Sequence, residues 1–172
     1  MRHSISMGLL FSLFCFCLAQ GQPLDDSFLT GVETETVEIG GTLLQSPLRY
    51  RENVQTSASF CVPVSRVKPL LPSEDLELSL VRPDTTVLVM AASEFRKIDG
   101  MKPYNQFGIF IPVTYKGVQG FFAVYLPASS EESVKIGAEG CGFPKSIAQV
   151  HFEETQTHRH CHVEADGKRV LT

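Results

Sequence analysis

The sequence has no block of basic residues beyond its first three positions. Fifteen Lys and Arg stand against nineteen Asp and Glu, a formal net charge of −4. That balance offers no electrostatic footprint for a phosphate backbone, so nucleic acid is excluded as a partner. Internal repeats and low-complexity linkers are also missing, and 172 residues fit one domain. No apolar run reaches the ~20 residues that a membrane-spanning helix needs. Cysteine is scarce: Cys15, Cys17, Cys61, Cys141 and Cys161. What remains is an ordinary globular composition, 43% hydrophobic and 20% charged.

The one sustained apolar run has another use. The segment MRHSISMGLLFSLFCFCLAQGQ opens on Arg2 and His3, turns apolar from Met7 to Leu18, and closes on the small residues Ala19 and Gly21. That order is the pattern of a secretory leader; an uncleaved anchor is the alternative. Residues 1–21 are read as a signal peptide and 22–172 as an exported domain, with no membrane association after cleavage. Cleavage removes Cys15 and Cys17. Three cysteines remain, an odd number that allows at most one internal disulfide. The fold must therefore rest on buried apolar surface.

Strand signals dominate the domain. Residues 23–31 read as a loose arm. VETETVEI (32–39) reads as an edge strand before a Gly40-Gly41 turn. Strands are expected over 54–64, 76–81 and 85–95, with a short helix or turn at 65–72 closed by Pro72. The clearest signal spans 104–126, where two aromatic, β-branched runs flank Lys116-Gly117 as in a hairpin. The period then changes. Ser129 and Glu132 fit a capping box, so a helix is expected from Ser129 to about Ala138, ending at Gly140. IAQVHFEE and THRHCHV read as a second hairpin, followed by an Asp166-Gly167 turn and a four-residue run, RVLT. Such a short last strand predicts a sheet incomplete at its C-terminal side, either because the chain is truncated or because a partner chain supplies the remainder; an open edge favours pairing with another chain, a second copy included. The fold class is mainly β, α+β, with one short buried helix in an antiparallel arrangement.

Between helix and second hairpin lies EGCGFPKS, Glu139 to Ser146. A lysine at such a corner is ordinarily exposed and inert. The sharper reading is a nucleophilic amine. Lysine at its usual pKa of ~10.4 is protonated at neutral pH and attacks no carbonyl; desolvation, or a neighbouring cation, frees the lone pair. Gly140 and Gly142 permit close backbone approach, and Pro144 stiffens the chain before Lys145. Glu139 reads either as a solvated helix-end carboxylate or as a proton-transfer group. Cys141 reads as a structural cysteine or a thiolate polarised by Lys145. Phe107, Phe110 and Phe143 read as core aromatics or as the lining of a pocket that keeps the amine uncharged. In HRHCH, His158, His160 and His162 share one strand face, with His151 opposite. Zinc accepts such nitrogens, although a polar hairpin face is the simpler account.

The segment IFIPVTYKGVQGFFAVYLP, then a helix, then EGCGFPKSIAQ, resembles the acetoacetate decarboxylase family. SRVKPLLPSEDLEL resembles that family's earlier segment, and the likeness covers about residues 54–155. It implies a cone-like β-barrel around a pocket and a Schiff base on the corner lysine, here Lys145. It implies a small β-keto acid or ketone as ligand, decarboxylation as the default reaction, and no cofactor, because the protein-derived imine is the electron sink. Activated lysine in acetoacetate decarboxylase is itself a standard example of this chemistry. Three positions depart from the family pattern. Ser146 stands where a second lysine follows the first, Gln106 where a glutamate precedes the Ile-Pro-Val strand, and Leu88 where another glutamate lies. A family arginine falls near Arg49 or Arg51. These departures keep two alternatives in view: an aldolase- or hydratase-like imine enzyme, and a non-catalytic β pocket for a small carbonyl or apolar ligand.

Overall fold

A computed structural model describes residues 33–39 and 41–171. The leader expected over 1–21 and the arm over 23–31 lie outside the described residues. Most of the rest is strand. β1 (Glu35–Ile39) and β2 (Thr42–Ser46) form a hairpin that turns at Gly41, φ +77°. β3 (Tyr50–Pro63) leads into a short helix α1 (Val64–Val67) and a 3-10 turn over Lys68–Leu70. The expected strand at 76–81 is split in two, β4 (Leu76–Leu78) and β5 (Leu80–Arg82). β6 (Thr85–Ile98), β7 (Tyr104–Tyr115) and β8 (Val118–Ala128) follow, then helix α2 (Glu131–Cys141). β9 (Lys145–Ile147), β10 (Gln149–Glu154), β11 (Arg159–Ala165) and β12 (Lys168–Leu171) complete the described chain.

The large sheet runs in the order β3-β6-β7-β8-β9, with β4 added on β7 and β5 on β6. Its pairings are antiparallel except the last. Lys116 (φ 50°) and Gly117 (φ 80°) close the β7–β8 hairpin. Both central residues of that two-residue turn have positive φ, the geometry that matches strand twist. β10, β11 and β12 form a separate three-stranded sheet.

Side-chain alternation sorts β6 and β7 into two faces. Ala92 and Phe107 point one way and meet Ala148, Val150 and Val163 of the second sheet. Phe95 and Tyr104 point the other way, where they join Ile98, Ala128 and Val134. Helix α2 therefore covers the Tyr104 face, and the β10–β12 sheet covers the Phe107 face. A third cluster, around Val67, Ile111 and Val113, fills the far end of the hairpin.

Helix α2 differs from expectation at both ends. Ser130, not Ser129, is the N-cap, and its Oγ accepts from the Ser133 amide at 3.2 Å. Ser129 instead ties β7 to β8: its Oγ accepts from the Asn105 amide at 2.9 Å. The helix also continues past Gly140. A side chain at Gly140 would stand 2.8 Å from Ile39 Cδ1, so this glycine serves close packing against β1. Termination falls to Gly142, at φ +66°, with the Phe143 amide returning to the Gly137 carbonyl at 2.9 Å. That is a left-handed helix cap. Nor is α2 buried throughout; Ser133, Ile136 and Gly137 are its buried residues.

The outcome of that cap is a parallel crossover. β9 lies parallel to β8, with Leu126 opposite Lys145 and Ala128 opposite Ile147. The antiparallel expectation does not hold at this edge, because a helix of 11 residues carries the chain back to the starting end. Gly142→Ala places a Cβ at a left-handed φ. We expect it to lower stability by about 1–2 kcal/mol in urea unfolding, and by more than an alanine at exposed Glu139.

Candidate functional site

Lys145 is the first residue of β9, and its side chain passes under α2. Gly137 makes that passage possible. A Cβ there would lie 2.6 Å from Lys145 Cδ and 2.8 Å from Cε. One turn earlier on the same helix face, Ser133 is 1% exposed, and its Oγ accepts a hydrogen bond from Lys145 Nζ at 2.8 Å. Ser133 and Gly137 stand four residues apart, so they share one stripe of α2. Below the amine lies Tyr104, 5% exposed, with Nζ 5.2 Å from the ring centroid. The tight turn before β9, in which the Lys145 amide donates to the Phe143 carbonyl at 2.8 Å, sets the starting direction of the lysine.

Burial pushes the Lys145 ammonium down to about 8, against a partial opposing pull from Cys141. Desolvation penalises the charged form, and the ring and hydroxyl around Nζ do not restore what water supplied. An amine titrating near 8 is about one-tenth neutral at pH 7, against roughly 0.03% for an ordinary lysine. Burial also raises the Tyr104 phenol, which a Ser133 hydrogen bond partly offsets and a Tyr50 hydrogen bond reinforces. Tyr104 continues into an aromatic ladder: Phe95 at 4.8 Å, then Tyr50 at 5.0 Å from Phe95. This combination of neutral-prone amine, hydroxyl acceptor and aromatic floor suits nucleophilic attack on a carbonyl.

The other residues singled out in the sequence scatter around this centre. Gln106 lies on β7 two residues from Tyr104, hence on the same face, opposite Ser93 and Ala128. Its Oε1 is buried without a hydrogen-bond partner. Phe107 points to the opposite face, into the core with Ala92 and Val163. Phe110 packs edge-on to Phe121 at 6.5 Å. Phe143 is 47% exposed, and Glu139 and Cys141 are exposed as well. Leu88 pairs with Phe60 at mid-strand of β6. Arg51 is engaged with Asp99, Nε to Oδ2 at 2.9 Å, which holds that carboxyl below its usual range. Ser146 faces Pro127 across the β8–β9 pair.

The HRHCH strand does not gather its histidines. His158 stacks on His160 at 6.2 Å, while His162 stacks on His151 at 4.8 Å. Among the described residues, no group of three or more metal-ligating side chains converges. Two surface grooves, of about 810 Å³ beside Val64–Leu80 and about 400 Å³ beside Ile147 and Asp166, are not lined by Lys145. The amine sits in the seam between α2 and the sheet.

Ser133 and Gly137 had no motif to announce them. A usable sequence signal was their spacing, a small polar residue and a glycine one turn apart, eight to twelve residues before a corner lysine. Gly137→Ala tests the seam. Alanine favours a helix over glycine by about 1 kcal/mol, so thermal stability should hold or rise. The added methyl displaces the lysine stem, so the amine should titrate nearer its ordinary value and react at least 10-fold more slowly with a carbonyl probe at pH 7.

Comparison with known proteins bears on the fold and the family. The family model described as acetoacetate decarboxylase (ADC) matches residues 45–172. Acetoacetate decarboxylase from Legionella pneumophila superposes with a TM-score of 0.64 at 20% identity, covering 72% of this chain and 47% of that one. The enduracididine biosynthesis enzyme MppR, complexed with pyruvate, superposes with a TM-score of 0.53 at 17% identity, covering 69% of this chain and 52% of that one. An acetoacetate decarboxylase-like enzyme from Sphingomonas wittichii RW1 superposes at 0.50 with 15% identity, covering 67% and 52%. A search of curated proteins finds no match. The chain spans about half the length of the solved relatives it matches. With three-quarters of its residues matched by the family model, this chain belongs to the acetoacetate decarboxylase family.

Proposed function

We propose that this protein is an imine-forming enzyme acting on a small β-keto acid or ketone, with Lys145 as the Schiff-base residue. One observation carries the reading: the corner lysine is held under α2, with its ammonium pushed down to about 8 by burial and its Nζ bonded to Ser133. The neutral amine attacks the ketone carbon and forms a carbinolamine. Protonation of its hydroxyl and loss of water leave a protonated imine. That imine draws electrons from the carbon bearing the carboxylate, carbon dioxide leaves, and an enamine forms. Protonation at carbon and hydrolysis release the ketone and the free amine. Decarboxylation is the default because it needs no further group beyond the imine.

A second reading is favoured by Gln106. Its amide holds no charge and cannot take a proton as the family glutamate does, and its Oε1 is a buried acceptor without a partner. MppR, a structural neighbour, is complexed with the condensation product of pyruvate and imidazole 4-carboxaldehyde. Aldol or hydration chemistry on the same imine therefore stands beside decarboxylation. The reading also takes the large sheet as part of a cone-like barrel, as the family resemblance implies. It takes residues 1–21 as the leader that exports the domain.

Borohydride trapping followed by peptide mass spectrometry tests the claim. With acetoacetate we expect a reduced adduct on the Lys145 peptide, absent in Lys145→Arg. An isopropyl adduct reports loss of carbon dioxide before reduction; an adduct retaining the carboxylate reports imine formation alone. Because the folded ammonium titrates near 8, the neutral form gains as pH rises. The initial trapping rate should climb about 10-fold per unit below 8 and level off above it. A folded protein that yields no adduct with acetoacetate, acetone or pyruvate is a binding module instead.

A further inference from the structure

The histidines of the β10–β11 hairpin take no part in the proposed reaction, and two of them are paired. The strands run antiparallel with His151 opposite His162 and Gln149 opposite Glu164. Val150 and Val163 point into the core, so by alternation those four side chains stand on the outer face of the hairpin. The two imidazoles stack with centroids 4.8 Å apart and planes 25° from parallel. Both Nε2 atoms turn to the same end of the stack. That of His151 lies 3.2 Å from Gln149 Oε1, and that of His162 lies 3.8 Å from Glu164 Oε1. Nitrogens that share one ion at ~2.0–2.1 Å stand roughly 3 Å apart. Directly opposed side chains start from Cβ atoms ~4.5–5.5 Å apart, which puts that separation within reach of a small turn of the exposed His151 ring. His158 and His160 are further apart, with centroids at 6.2 Å.

We propose that His151 and His162 form a two-imidazole site for a divalent transition-metal ion, bound at Nε2 of each ring. The site does not rest on the imine reading, and Lys145 takes no part in it. Each ring gives the Nε2 lone pair and keeps its proton on Nδ1; for His151 the ion replaces the contact with Gln149. Among the described residues no set of three ligating side chains converges, so water completes the coordination. His151, Gln149 and Glu164 line the groove of about 400 Å³ beside Asp166, which leaves room for that water. Glu164 stays out of direct contact, where its charge offsets part of the ion's. Arg169 works against it, with Nη2 3.9 Å from the same Glu164 Oε1. Imidazole nitrogen favours Cu2+ over Ni2+ and Zn2+, whereas Ca2+ and Mg2+ take oxygen ligands and are not held. A bound ion clamps β10 to β11, the hairpin whose inner face covers Phe107.

Full-length protein, washed with chelator, is titrated with Ni2+ by calorimetry, and its Cu2+ form is read by electron paramagnetic resonance. Thiols are alkylated first, because Cys61 and Cys141 are exposed and thiolates take the same metals. We expect a single tight Ni2+ per chain and copper hyperfine structure from two imidazole nitrogens. His151→Gln and His162→Gln should each weaken Ni2+ binding about 100-fold, because the second imidazole no longer acts from within the molecule. Because His151 is exposed, its variant tests the pair even where loss of the His162 ring disturbs the hairpin. His158→Gln combined with His160→Gln should leave the affinity unchanged. Arg169→Gln should tighten it by about 2- to 5-fold. A parent that binds no Ni2+ overturns the site. So does a tight ion that is kept in the His151→Gln/His162→Gln double variant or lost in His158→Gln/His160→Gln. The stack is then a polar hairpin face, and the imine reading is untouched.

Discussion

The structure depends on one burial: the Lys145 amine placed beneath helix α2, against Ser133 and the Tyr104 ring. A charged ammonium on this half-buried side chain has lost part of its water and received one hydroxyl acceptor and one aromatic face in exchange. The deficit appears as a depressed pKa, and in the proposed function it supplies the nucleophile. It is also a cost to folding. The folded amine titrates near 8 and the free one near 10.5, so the unfolded chain binds more protons between those values. Stability is therefore reduced below pH 8 and recovers as pH rises through that window. A residue that contributes to the fold only by its solubility would not be held this way.

Several unrelated features exist to hold that amine in place. The β7–β8 hairpin supplies Tyr104 on one strand and the docking edge for β9 on the other. The Ser130 cap starts α2 so that Ser133 faces inward. Gly137 opens the groove for the lysine stem, and Gly142 ends the helix with the one left-handed residue the corner needs. On the reverse face of the sheet, Phe107 and Ala92 are covered by Val150 and Val163, which backs the strand that carries Tyr104. The candidate site and the core packing thus use opposite sides of β7, separated by the two-residue alternation of the strand.

Much of this was legible in the sequence, for physical reasons. Alternating aromatic and β-branched residues about Lys116-Gly117 announce a hairpin because both the strand period and the turn chemistry are local. The GFPK corner was visible because Gly, Pro and Lys each constrain or charge the backbone in a recognisable way. Three features were not. The cap moved by one residue because Ser129 and Ser130 compete, and Ser129 is taken by Asn105 across the sheet. The helix ran on past Gly140 because that glycine answers to Ile39, a partner about a hundred residues away. Ser133 and Gly137 act on Lys145 across a crossover connection, and such contacts follow from the parallel β8–β9 pairing, which no local pattern encodes. Phe107 and Glu139 each carried two readings, and strand alternation and helix exposure agree with the plainer ones, a core aromatic and a solvated carboxylate.

The family assignment covers three-quarters of the chain, and the part that superposes spans about half the length of the solved relatives. Within the described residues, the account stands on the state of one nitrogen. Selective 15N labelling of lysine, with Lys145→Arg to assign the signal, allows the Nζ resonance to be followed from pH 6 to 11. The account predicts a Lys145 midpoint near 8, well separated from the other lysines. A midpoint among the exposed lysines, near 10.5, would mean that the seam does not desolvate the amine, and would contradict the central claim.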